Sequence, residues 1–356
     1  AMFSLGLGRK QAPLLGIDIG STAVKVVELS HARTAAAHTY RVESWAIEPM
    51  PAGAIAERKI ADPDVVSQVI RKALTRSGSR AKRCAVAIPG SAVITKVISL
   101  PAALTDTEME SRIQLDADQY IPYPMSEVDL DFTVLGPSAI PGDVDVLLAA
   151  ARNEIVDALV AVMDLAGIET VVIDVEPYAL ENACILAMGA QAEGQTLAIA
   201  DIGATATRIQ VVRGGRTVYM REQAFAGAQL LEEIVHRYGL TPEDAQRQLG
   251  EGTLPPDYPQ EVGRPFAEAL AQQIGRALQF FYSSTFSQQA DQIILAGGVA
   301  RFSGLEQIIG QRLGIMAYVA NPFLHMNLAP QVVSAELARH APALAHATGL
   351  ALRRFD

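Results

Sequence analysis

The chain predicts an α/β protein of two related lobes, and three observations support that prediction. Asp18-Ile19-Gly20-Ser21-Thr22-Ala23-Val24-Lys25 returns as Asp201-Ile202-Gly203-Ala204-Thr205-Ala206-Thr207-Arg208, with five positions identical. Each copy follows a short apolar run, Leu14-Leu15-Gly16-Ile17 or Leu197-Ala198-Ile199-Ala200, and leads into a second β-rich run. Between and after the copies, strand-like and helix-like segments alternate, which favours α/β layers over an all-β or bundle fold.

In chain order, Leu14 to Ile19 and Val24 to Leu29 are paired strands joined by the first Asp-Ile-Gly turn, and Thr39 to Ile47 is a third. Asp62 caps a helix whose first residue is Pro63 and whose apolar face is Val65, Val66, Val69, Ile70, Ala73 and Leu74. Cys84 to Ile88 is a buried strand closed by Pro89-Gly90. From about Ser91 to Ile168 a strand–helix–strand–strand–helix block interrupts the first lobe, its first helix opened by a Thr105/Glu108 capping box. Val171 to Val175 and a helix from Pro177 to Met188 return to the lobe. The second lobe has a hairpin at Gly214-Gly215, helices from Gln229 and from Thr241-Pro242, a long helix to about Phe286, a strand at Ile293 to Leu295 and a helix from Leu305 to Leu313. The expected division is a tail (1–13), a first lobe (14–90 and 169–190), an inserted subdomain (91–168) and a second lobe (191–356). Residues 227–290 would form the outer helical part of that second lobe.

Composition narrows the function. The net charge of −10, from 29 basic against 39 acidic residues, leaves no basic stripe to neutralise nucleic-acid phosphates. Cys84 and Cys184 lie in apolar runs and are expected as buried thiols; the six histidines show no metal-ligand spacing. No apolar run reaches the ~18 residues of a membrane span, and Arg9-Lys10 is followed by no signal-peptide core, so a cytoplasmic chain that meets membrane only through partners is expected.

An acidic residue ending a buried strand, followed by Gly and hydroxyl residues, suits a metal-bound phosphate. Gly20 lets the backbone approach, Ser21 and Thr22 donate, Lys25 reaches the β- or γ-phosphate, and Asp18 holds Mg²⁺ through water. Asp201, Gly203, Ala204 and Thr205 offer the same from the other side. Gly297-Gly298-Val299, after an apolar strand, allows close approach to adenine or ribose, although Gly-Gly is also an ordinary turn. Glu176 at a strand–helix junction either orients the attacking water or simply favours the helix dipole. The Gly6-Leu7-Gly8 stretch is no dinucleotide fingerprint, no Walker loop is present, and Phe280-Phe281-Tyr282 is expected in the core.

Taken in order, these motifs resemble the actin-like ATPase superfamily, with Glu176-Pro177 similar to the segment that carries the water-activating glutamate of the bacterial actin MreB. That resemblance implies duplicated ribonuclease-H-like lobes around ATP and Mg²⁺, with at most slow hydrolysis. The inserted block looks like the extra subdomain of FtsA. The run Leu15 to Leu29, Pro89-Gly90, Asp174-Val175-Glu176-Pro177 and Ala320-Asn321-Pro322-Phe323 with Met326 resemble the PilM family of type IV pilus assembly. The likeness implies a scaffold at the inner membrane that docks the N-terminal tail of a PilN-like protein between the first lobe and the insert, alongside other platform and motor proteins, with a ring or homo-oligomer as its expected assembly. An FtsA-like division protein is the alternative, with a small-molecule kinase behind it; the first requires a membrane-binding C-terminal helix and the second a substrate base, and neither is visible.

Overall fold

Alternating apolar residues make β1 (Leu15–Ile19) and β2 (Ala23–His31) an antiparallel pair, in register Asp18 with Lys25. The computed structural model describes residues 12–31, 40–285 and 289–355. Gly6-Leu7-Gly8, Arg9-Lys10 and most of the expected tail, together with Thr39 and Phe286, lie outside the described residues. β3 (Tyr40–Pro49) extends the sheet beyond β2, and a small hairpin of β4 (Ile55–Ala56) and β5 (Lys59–Ile60) follows. In α1 (Pro63–Ser77), Asp62 accepts from the Val65 N–H and Pro63 sets the first turn, as its residues predict. β6 (Arg83–Ile88) runs parallel to β1.

The inserted block is β7 (Val93–Pro101), α2 (Asp106–Asp116), β8 (Val128–Pro137), β9 (Asp143–Arg152) and α3 (Asn153–Ala166). Its strands form a separate antiparallel sheet, β7-β9-β8. Glu108 accepts from both the N–H and the hydroxyl of Thr105, completing the capping box. Met109 and Ile113 of α2 cover one face of this sheet. α3 instead sends Leu159, Val162 and Met163 into the core shared by α1, β1 and β6, so the insert is fastened to the first sheet by its last helix.

β10 (Glu169–Val175) rejoins the first sheet beside β6, and α4 (Glu176–Met188) leads to the second half. That half contains β11 (Thr196–Ile202), β12 (Thr207–Arg213), β13 (Arg216–Gln223), α5 (Gly227–Tyr238), α6 (Pro242–Glu251), α7 (Arg264–Thr285), β14 (Gln292–Ala296), α8 (Leu305–Leu313) and β15 (Met316–Val319). Its sheet runs β13-β12-β11-β14-β15, against β3-β2-β1-β6-β10 in the first. In both, the first three strands are antiparallel and the last three parallel. The sequence repeat is therefore a repeat of topology. Every residue of β11 is buried, because Ala198, Ala200 and Ile202 face α7 while Leu197 and Ile199 face Leu180 and Cys184 of α4.

The end of the chain departs from the expected division. β16 (Asn327–Leu328) pairs with β3, so it belongs to the first sheet rather than the second. α9 (Ser334–His340) and α10 (Ala345–Leu352) follow; Leu337, Ala347 and Ala351 share a core with Val27, Leu29 and Val42. β2 and β3 need a cover for that face, and this segment supplies it. α10 and α4 pack on each other and fill the space between the two sheets. Both cysteines are buried free thiols, burial pushing Cys84 up to about 12. Phe281 is in the core, whereas Phe280 is exposed beneath the Arg221 guanidinium.

Candidate functional site

The two repeated turns have one geometry. The Gly20 N–H donates to the Ala23 carbonyl and the Gly203 N–H to the Ala206 carbonyl, both at 3.0 Å. These N–H groups thus close the turns, and what glycine supplies is room: a Cβ on Gly20 would stand 3.0 Å from Lys25 Nζ. Thr22 and Thr205 are exposed at the tips, with Ser21 and Ala204 half-buried beside them. Each aspartate meets a cation across its hairpin, Asp18 Oδ2 with Lys25 Nζ at 2.8 Å and Asp201 Oδ2 with Arg208 Nη1 at 3.5 Å. Where the first copy has Val24, the second has buried Thr207, whose hydroxyl donates to the Phe225 carbonyl at 2.6 Å. The Gly227 and Ala228 N–H groups donate to the Gly203 and Ala204 carbonyls, tying α5 to the second turn.

Gly297 lies directly against the second aspartate. Its φ is +90°, and a Cβ there would fall 2.4 Å from the Ile202 carbonyl oxygen and 2.8 Å from Asp201 Oδ1, so only glycine fits. A Cβ on Gly298 would meet open space, while Val299 packs against Gly227. Glu176 opens α4 straight after β10. Its Oε2 accepts from Arg58 Nη2 at 2.5 Å and Arg208 Nη1 at 2.6 Å. Arg58 Nη1 also donates to Glu222 Oε2 at 3.1 Å, and His346 Nε2 of α10 lies 3.6 Å from Asp201 Oδ2.

The hairpins converge on one charged network. Burial works against the charge of Asp18, but Lys25, His346 and Arg208 together outweigh it and hold the carboxyl below its ordinary value. Burial likewise opposes the charge of Arg208, yet Asp201, Glu176, Glu222 and Asp18 raise it above the usual guanidinium value. Asp18 and Arg208 stand on different sheets, so this mutual field spans the lobes. Of the sequence candidates, Asp18, Lys25, Asp201 and Glu176 meet in this network, Gly297 adjoins it, and Ser21, Thr22, Ala204 and Thr205 occupy the two tips. Arg58, Glu222 and His346 were not candidates. Each reaches the site from a separate element, and none has a motif around it; Arg208 did have a signal, as the counterpart of Lys25.

A family model for type IV pilus assembly protein PilM matches residues 16–355. The chain belongs to the PilM family. Among solved structures it is similar to a PilM-PilN type IV pilus biogenesis complex, at 29% identity and a TM-score of 0.78, over 98% of this chain and 99% of that one. Two more distant structures share the fold. Ethanolamine utilization protein EutJ from Carboxydothermus hydrogenoformans is 18% identical, with a TM-score of 0.57 over 95% and 88% of the two chains. MreB5 of Spiroplasma citri bound to ADP is 12% identical, with a TM-score of 0.51 over 96% and 95%. The fold of this PilM family member is thus the actin-like ATPase fold. No helix among its described residues is long and apolar enough to cross a membrane.

Proposed function

We propose that this PilM family member is an ATP-binding scaffold of type IV pilus assembly that docks the N-terminal tail of a PilN-like membrane protein. The supporting observation is the meeting of the Asp18–Lys25 and Asp201–Arg208 pairs in one charged network, with Gly297 against Asp201. The side chains suit a magnesium nucleotide. Lys25 supplies a point charge for the β- or γ-phosphate, Ser21, Thr22 and Thr205 supply hydroxyls, and Gly203 and Ala204 supply a close backbone. Asp18 and Asp201 are oxygen ligands for a magnesium that keeps much of its water. Gly297, Gly298 and Val299 form the nucleoside side, where the open space at Gly298 leaves room for a ring or ribose. Glu176 orients the water at the terminal phosphate once its arginine partners release it.

The tail docks between the first lobe and the inserted subdomain. That boundary is marked by the Tyr178 hydroxyl of α4 bonded to Thr95 of β7, while Arg216 of β13 donates to the Leu135 carbonyl of β8 and ties the insert to the second lobe as well. Two lobes of common plan, the insert, and membrane association through partners complete this reading. Titration calorimetry with Mg-ATP tests it. Asp18→Ala and Lys25→Ala each remove a charged partner and should weaken binding by about tenfold or more. Affinity equal to wild type in both variants would sink the site assignment.

A further inference from the structure

The tip of the β4–β5 hairpin is Glu57-Arg58, with φ of 48° and 62°, the only non-glycine residues at positive φ among the described residues. A two-residue turn of this kind favours Asn and Gly, so two long charged side chains hold a conformation disfavoured for both. Its result is the placement of Arg58. From the first lobe, that guanidinium reaches Glu176 and then Glu222 on β13 of the second. Arg208 comes to the same Glu176 oxygen from β12. Two guanidiniums therefore share one carboxylate oxygen, while the Nε of each is buried without a hydrogen bond, that of Arg208 lying 3.5 Å from Glu222 Oε2. A guanidinium has five donors in a planar fork that matches phosphate geometry, so the pair, facing Glu176, Glu222 and Asp201, still has N–H groups that these carboxylates do not take up in hydrogen bonds.

We infer that Arg58 and Arg208 are a cross-lobe arginine pair that reads the terminal phosphate and makes the molecule distinguish a nucleoside triphosphate from a diphosphate. The inference rests on the nucleotide reading of the cleft. Glu176 and Glu222 hold the pair when no terminal phosphate is bound. A γ-phosphate, with three oxygens and more negative charge, replaces Glu176 between the two guanidiniums and draws the hairpin toward β12. A diphosphate ends short of the pair and leaves the carboxylates in place.

Calorimetry of the full chain with Mg-ATP and Mg-ADP tests this. Wild type should prefer ATP. Arg58→Ala should lose about tenfold in ATP affinity while ADP affinity moves by less than about twofold, and the retained ADP binding also reports correct folding. Arg58→Lys, which keeps the charge without the fork, should recover only part of the preference. Glu222→Gln, which removes a competing carboxylate, should raise ATP affinity. An unchanged ATP-to-ADP ratio in Arg58→Ala, or an equal loss of both nucleotides in both Arg58 variants, overturns the inference and leaves the cleft assignment standing. Wild type binding neither nucleotide overturns both.

Discussion

Glu181 shows what a single residue on the lobe boundary does to stability. It is only 8% exposed on α4 and accepts a 2.5 Å hydrogen bond from the Thr217 hydroxyl of β13. Burial raises its pKa and is the largest influence; Thr217 and Arg216 act against it without prevailing. A carboxyl whose folded-state value lies above its unfolded value favours folding fully below the unfolded value. That contribution is lost as pH rises through the raised value. Glu181→Gln keeps an acceptor for Thr217 and has no charge to bury. Thermal melts should therefore show the variant above wild type in Tm at about pH 8 and close to it at about pH 4; the same difference at both pH values would count against a buried charge. At this scale, legibility was uneven. Asp18 and Lys25 were readable because the repeat marked them. Arg58 was not, because its position comes from a hairpin of two-residue strands whose tip reaches Glu176.

α10 is the element on which the lobes rest. A Cβ on Gly16 of β1 would stand 2.0 Å from the Ala347 carbonyl oxygen, and one on Gly349 would stand 1.7 Å from that of Ala179 in α4. Helix and strand backbones thus touch on one side, and two helix backbones on the other. Gly349→Val should cost about 3 kcal/mol, measured as a lower urea midpoint at unchanged m-value, because no side-chain motion relieves a backbone clash. Elements with strong end signals were legible in the sequence. α1 has its Asp62 cap and Pro63, and α2 its Thr105/Glu108 box. β16 was missed because two residues carry no alternation, and the sheet that α10 covers was not legible because seven of its eight residues are buried, which leaves no polar face to orient it. Those omissions caused the error in the division, since both elements return the chain to the first sheet.

For the molecule as a whole, the chain passes between the sheets twice, from α4 into β11 and from β15 to β16. A nucleotide between the sheets would shift them only by binding one arrangement better than another. If the insert and first lobe form the docking groove, the PilN-like tail peptide should bind about tenfold differently with Mg-ATP than without nucleotide, read by fluorescence anisotropy. Equal affinity in both conditions would show that docking is independent of nucleotide. The second crossing also bears on synthesis. The helix that covers Gly16 of β1 is translated more than three hundred residues after that strand. At about 5–20 residues per second, that delay is on the order of tens of seconds. The second sheet, made without interruption from β11 to β15, can assemble while the first still waits for its cover. The nascent chain is thus expected to complete its halves in reverse order, with the apolar faces of β1 and β2 open to chaperones until α10 arrives.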